Sequence, residues 1–126
     1  DAILDDGARR RYVSIDGGMA DNIRPALYGA TYTAAVANRV SQAPVVRCRV
    51  VGKHCESGDV VVWDVDLPED LGRGDLLAVP ATGAYGYSMA SNYNMLTKPG
   101  VVAVEDGAAG WVVRPQTLED LLALQG

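Results

Sequence analysis

Apolar and polar residues alternate most regularly over residues 45–51, where Val46, Cys48 and Val50 fall on one face and Arg47 and Arg49 on the other. A period of two is that of a half-buried strand. Residues 60–65 and 75–79 read as further strands, and residues 2–4 and 11–15 as a hairpin around Asp5-Asp6-Gly7. Residues 101–105 and 110–114 read as a second hairpin around Asp106-Gly107. Alanines favour helix over residues 32–40, but Thr31, Tyr32, Thr33 and Val36 favour strand, and strand is the expectation. Pro25 pushes Arg24 towards an extended conformation. Residues 67–74 read as loop, and residues 83–94, rich in Gly, Ala, Ser, Tyr and Asn, as a long connection. The period changes at the end of the chain. Leu118, Leu121 and Leu122 recur at helical spacing behind Thr117, a good N-cap, with Glu119 and Asp120 in the first turn. Short strands, Gly/Asp turns and one final helix predict a mainly β fold of about six to eight short strands with a C-terminal α-helix, arranged as a Greek-key-like barrel or as a sandwich.

Length and composition narrow this picture. The 126 residues suit one domain, and 48% hydrophobic content excludes intrinsic disorder. No apolar run approaches the roughly 20 residues a bilayer needs. The net charge of −5 argues against nucleic-acid or anionic-membrane partners. The run Arg9-Arg10-Arg11 follows a Gly turn and reads as an exposed strand edge rather than an anion site. Two cysteines without a signal peptide read as free thiols of a cytoplasmic protein. The first residues read as the start of a strand with no initiator Met before it, so the chain is expected to be the C-terminal part of something longer.

Reactive groups concentrate in one hexapeptide, His54-Cys55-Glu56-Ser57-Gly58-Asp59, between two strands. Cys48, mid-strand, reads as core. Cys55, in a turn, could be a nucleophile, a metal ligand, a proton donor or a plain turn residue. The carboxylates of Glu56 and Asp59 nearby favour a protonated thiol, which suits an acid better than a nucleophile. Metal binding is weak, because Cys48, His54 and Cys55 supply at most three ligands and adjacent His-Cys is not a zinc spacing. His54 reads as a solvated or hydrogen-bonded loop residue. Arg24, in a polar turn before a proline, suits a bidentate clamp on a carboxylate or an ordinary salt bridge. Gly17 and Gly18 let the backbone turn sharply or approach another group closely. Six tyrosines and no phenylalanine bias the aromatics towards hydroxyl-bearing ones, and Tyr28, Tyr85, Tyr87 and Tyr93 lie near the glycine-rich stretches. The glycines of residues 83–86 do not follow a strand and open a helix in a βαβ unit, so no dinucleotide fingerprint is present.

Three stretches together carry a resemblance: DGGMADNIRPALYG at residues 16–29, GKHCESGD at residues 52–59 and GAYGYSMASNYN at residues 83–94. In this order and spacing the chain resembles the C-terminal domain of the diaminopimelate decarboxylase family, down to the final LEDLLAL helix. The resemblance implies a pyridoxal 5'-phosphate enzyme that converts meso-2,6-diaminopimelate to L-lysine and CO2 in lysine biosynthesis. It implies a homodimer of two-domain subunits, with this β domain following an N-terminal β/α barrel whose lysine holds the cofactor. The active sites would lie at the dimer interface. It further implies Cys55 as proton donor, Glu56 as acceptor of the substrate's distal ammonium and Arg24 as clamp of the distal carboxylate, with Tyr28 beside it. Tyr85 would contact substrate and cofactor. Decarboxylases of diamino acids without a distal carboxylate have no use for Arg24 in that role, so it would discriminate between substrates. Lys53 and Lys98, the two lysines present, do not match the family's cofactor lysine, so this chain alone is expected to be inactive. The alternatives are a sister decarboxylase of the same fold and a non-catalytic regulatory or assembly β domain. Retention of Cys55, Arg24 and Glu56 argues against the second.

Overall fold

The chain's computed structural model describes residues 2–3 and 7–125, with side chains from residue 7 onward. Eight strands and three short helices follow in the order β1 (Ala2–Ile3), β2 (Arg9–Ser14), α1 (Arg24–Tyr28), β3 (Ala35–Val36), β4 (Val45–Val51), β5 (Val60–Pro68), β6 (Leu77–Ala78), α2 (Gly83–Met89), β7 (Val101–Glu105), β8 (Ala108–Val113) and α3 (Leu118–Leu122). A 3-10 turn occupies Tyr93–Met95. The fold is mainly β. The described strands form a four-stranded sheet in the order β1-β2-β4-β5, a β3-β6 pair and a β7-β8 hairpin.

The core lies on one face of the large sheet. Cys48 and Val50 of β4 and Val62 and Leu67 of β5 are its most completely buried side chains. Each apolar side chain so buried contributes about 1.5–3 kcal/mol of transfer free energy. Arg47 and Arg49 occupy the opposite face, as their alternation predicts. Arg49 lies 4.6 Å over the Trp63 ring. Strand β5 breaks the alternation because its register slips. Cys48 opposes Val65 and Val50 opposes Val62, so three steps on β5 match two on β4. The extra residue is a β-bulge. It puts Trp63 and Asp64 side by side on the exposed face and returns Val65 and Leu67 to the core.

Several sequence expectations change. Strand β2 pairs with β1 and, in parallel, with β4, so Arg9-Arg10-Arg11 is not at an edge. Arg10 faces Asp64 at 3.8 Å, and Arg11 donates to the Glu69 carbonyl at 2.7 Å. Leu4 of the first expected strand and Asp5 and Asp6 of the turn after it fall outside the described residues. Arg24 and Pro25 open a helix instead of an extended segment. Proline is tolerated in a first turn, where its missing N–H has no carbonyl to meet, and this outweighs its bias on the preceding residue. The strand expected over residues 32–40 is only Ala35–Val36, and that over residues 75–79 only Leu77–Ala78. The connection at residues 83–94 contains α2 and runs into the 3-10 turn. Local turn preferences there win without a ladder partner. The second hairpin follows the sequence, with Asp106 and Gly107 at φ +49° and +79°, the two positive values of a type I′ turn. Thr117 caps α3 in a reciprocal capping box with Asp120.

Candidate active site

The hexapeptide is the connection between β4 and β5, and it is held from inside. The Asp59 carboxylate is almost fully buried. Its Oδ2 accepts the His54 backbone N–H at 2.7 Å and faces His54 Nδ1 at 3.0 Å. Its Oδ1 accepts the Met19 N–H at 2.6 Å. A carboxylate with three donors is a stable way to bury charge. Because a carboxylate only accepts, the shared proton sits on Nδ1 of His54. The backbone closes the same turn, with Gly52 N–H donating to the Asp59 carbonyl at 3.0 Å and Lys53 N–H to the Gly17 carbonyl at 3.1 Å.

This packing explains the glycines. A Cβ on Gly18 would lie 2.5 Å from His54 Nδ1, and one on Gly52 would overlap the Asp59 carboxylate. The Asp16-Gly17-Gly18 turn therefore serves close approach, one of the two uses its sequence suggests. His54 is buried and hydrogen-bonded, not solvated. Asp59 is not a free negative charge beside Cys55, because its oxygens point inward to His54 and Met19.

Cys55 and Glu56 stand outside this anchor. Both are exposed, and Cys55 is a free thiol, whereas Cys48 is buried with its Sγ 3.3 Å from the Val46 carbonyl. Burial pushes the Cys48 thiol above its ordinary value. Glu56 Oε1 accepts from Ser57 Oγ at 3.2 Å and from the Gly58 N–H at 3.4 Å, and Oε2 accepts from the Tyr93 hydroxyl at 3.3 Å. The Gly58 amide, then Ser57 and Tyr93, hold the Glu56 carboxyl below its usual range, so it is ionised at neutral pH. The Tyr93 ring stacks on His54 with centroids 5.7 Å apart.

The three stretches singled out in the sequence meet pairwise. Met19 bonds Asp59, Ser91 N–H donates to the Ala20 carbonyl at 2.9 Å, and Tyr93 touches both Glu56 and His54. Arg24 and Tyr28 sit together at the ends of α1, with the guanidinium 5.5 Å over the ring. Arg24 Nε donates to the Tyr32 hydroxyl at 3.1 Å. Among the described residues no carboxylate pairs with Arg24. Tyr85 is 69% exposed and adopts φ +64° in the kink of α2. A bulky residue in the left-handed region costs of order 1–3 kcal/mol, and such strain collects at functional sites. No hydrogen bond or ring contact among the described residues ties Arg24, Tyr28 or Tyr85 to Cys55 or Glu56.

Tyr93 and the anchoring part played by Asp59 were not assigned from sequence. The only signal was the clustering of tyrosines near residues 83–94 and the acid at the end of the hexapeptide. Among the described residues no group of three or more His, Cys, Asp or Glu could hold a metal ion, and no helix is long and apolar enough to cross a membrane.

A mainly β fold, carrying an exposed thiol and carboxylate on a turn clamped from within, defines the class. Residues 2–83 match the family described as "Pyridoxal-dependent decarboxylase, C-terminal sheet domain", and the chain belongs to that family. Within it the chain is similar to enzymes named diaminopimelate decarboxylase. It is 59% identical over 118 residues to that of Mycobacterium tuberculosis (strain ATCC 25618 / H37Rv), which covers 94% of this chain and 26% of the relative. It is 58% identical over 115 residues to that of Bacillus subtilis (strain 168), covering 91% and 26%. The crystal structure of diaminopimelate decarboxylase from Helicobacter pylori complexed with L-lysine superposes with a TM-score of 0.81 at 40% identity, covering 90% of this chain and 28% of that one. The chain thus spans about a quarter of the length of the curated relatives it matches.

Proposed function

We propose that the chain works as the C-terminal domain, residues 1–126, of a two-domain diaminopimelate decarboxylase. The whole protein would convert meso-2,6-diaminopimelate to L-lysine and CO2 as a cytoplasmic homodimer. An N-terminal β/α barrel would precede this domain and carry pyridoxal 5'-phosphate on a lysine. The ladders of this domain would complete a β barrel with a strand from that preceding segment. The observation that carries the reading is the turn itself. Asp59 and His54 bury one end of it, so that adjacent Cys55 and Glu56 are presented outward together.

The residues of this chain suit the substrate side of such a cofactor and not its attachment. Tyr85, exposed and strained, offers an aromatic face. Of the two lysines, Lys98 has its ammonium 5.5 Å from the Tyr87 ring centroid, and Lys53 enters the turn through its backbone N–H to the Gly17 carbonyl. When bound, the cofactor supplies an electron sink for the pair left by departing CO2. The chain's residues then have three tasks. Cys55 Sγ–H delivers one proton to the carbon that lost the carboxylate. Glu56, ionised and fixed at both oxygens, receives the distal ammonium. Arg24, with Nε committed to Tyr32 and its face to Tyr28, keeps its terminal nitrogens for the distal carboxylate. The interface placement of the site would bring Cys55 and Glu56 to a cofactor held by the other subunit.

In the full-length protein, Cys55→Ala is expected to slow turnover of meso-diaminopimelate by about 10²-fold or more, the loss expected of a positioned acid. Near-normal turnover removes Cys55 from the mechanism.

A further inference from the structure

Tyr93 carries no role in the reading above, yet it touches both the buried and the exposed half of the hexapeptide. Its hydroxyl donates to Glu56 Oε2 at 3.3 Å, while its ring stacks on His54 at an interplanar angle of 30°. The other oxygen of Glu56 is taken by Ser57 and Gly58. An exposed glutamate ordinarily samples many rotamers, and a ligand that needs one of them must bear the ordering cost. Here the carboxylate is gripped at both oxygens before any ligand arrives. A carboxylate has about four acceptor positions. Three are used, which leaves one for an incoming cation.

Tyr93 is itself held. Its ring partner His54 has no exposed side-chain surface and is fixed by Asp59, which is fixed in turn to Met19. A continuous series of contacts therefore runs from Met19 through Asp59, His54 and Tyr93 to Glu56. The charges agree with this direction of donation. Glu56, first of all causes, raises the Tyr93 phenol above its ordinary value, and Glu56 is held below its own. At neutral pH the phenol is the donor and the carboxylate the acceptor.

Building on the reading of Glu56 as the group that meets the substrate's ammonium, we propose that Tyr93 is a positioning residue: it holds the Glu56 carboxylate ready for the distal ammonium, acting through Glu56 and not on the substrate. Tyr93→Phe removes the hydroxyl and keeps the stack on His54. In the full-length protein it should raise KM for meso-diaminopimelate by about three- to tenfold, as expected for one hydrogen bond to a charged group, with kcat within about twofold. In a Glu56→Ala background the same substitution should change KM no further. With a substrate analogue lacking the distal amino group, it should have no effect. An unchanged KM for Tyr93→Phe, or an equal rise in the Glu56→Ala background, overturns the proposal while leaving the Glu56 assignment intact. An unchanged KM for Glu56→Ala overturns that assignment and the proposal with it. A second measurement needs no variant at position 93. Tyrosinate absorbance, titrated in the wild-type protein and in Glu56→Gln, should show one phenol ionising at lower pH once Glu56 is neutral. Identical titrations overturn the hydrogen bond on which the proposal stands.

Discussion

Asp59 accepts a 2.6 Å hydrogen bond from the Met19 amide, forty residues earlier in the chain. That bond joins the turn between β4 and β5 to the glycine-rich loop after β2. Its other oxygen closes the turn on itself through His54. One buried side chain thus determines where two loops lie relative to each other, and the exposed Cys55 and Glu56 inherit that placement.

Asp59→Ala is therefore expected to cost about 2–4 kcal/mol of stability, because it strands the buried His54 amide, the part-buried Met19 amide and the His54 Nδ1–H without an acceptor. Urea denaturation of the full-length protein measures it. A loss below about 0.5 kcal/mol shows that the bonds to Met19 and His54 contribute little.

Gly18→Ala tests the same contact from the other side. The added Cβ would lie 2.5 Å from His54 Nδ1 and 2.8 Å from Asp59 Oδ1. Neither atom can retreat without breaking its hydrogen bond, so overpacking should cost about 1–3 kcal/mol. Gly58→Ala is the control, since a Cβ there meets nothing within 4 Å. Equal melting temperatures for the two variants would contradict the tight packing at Gly18.

Strand β4 with its strict alternation and β5 with its apolar run were legible in the sequence, as were the β7-β8 turn and the Thr117 cap, because each rests on residues close together in the chain. The parallel pairing of β2 with β4 was not, since nothing local announces a partner 37 residues away at Arg11 and Cys48. The first turn of α1 was misread because the bias of Pro25 against helix at Arg24 is real but weaker than the freedom of a helix N-terminus. At the site, composition revealed the density of reactive groups but not their direction. Asp59 and Glu56 are both acids of the same turn; one faces Met19 and His54, the other faces solvent and Tyr93. That distinction depends on where β4 and β5 place the turn against the loop at Gly18, which is a tertiary property.

Away from the site, Arg39 binds two carboxylates, Asp75 through Nε and Nη2 at 2.6 and 2.8 Å and Asp70 through Nη1 at 2.9 Å. Arg39, followed by the Gly72 amide, holds the Asp75 carboxyl far below its usual range. A depressed folded value means stability that is fully present above the unfolded carboxyl's pKa of about 3.9 and is lost as pH falls towards the folded one. Asp75→Asn should therefore lower the urea midpoint near neutral pH, and the wild-type and variant midpoints should converge on acidification from about pH 5 to pH 2. A gap that stays constant across that range would exclude the ionised pair as its source.

Arg24 gives the sharpest test of substrate choice. Its Nε is committed to Tyr32 and its plane lies over Tyr28, an arrangement that fixes the direction of the fork. Lysine has the charge but neither the planar fork nor an Nε donor, so Arg24→Lys is not conservative at this position. In the full-length protein Arg24→Ala and Arg24→Lys should both raise KM for meso-diaminopimelate, by roughly tenfold or more for a lost bidentate charge-assisted contact. Both should also narrow the preference for meso-diaminopimelate over ornithine, which has the distal ammonium and lacks the distal carboxylate. Tyr32→Phe, which frees Nε without removing the fork, should give a smaller shift in the same direction. Competition between the two substrates, read as the ratio of kcat/KM values, decides the matter. An unchanged ratio in Arg24→Ala would show that Arg24 does not read the distal carboxylate.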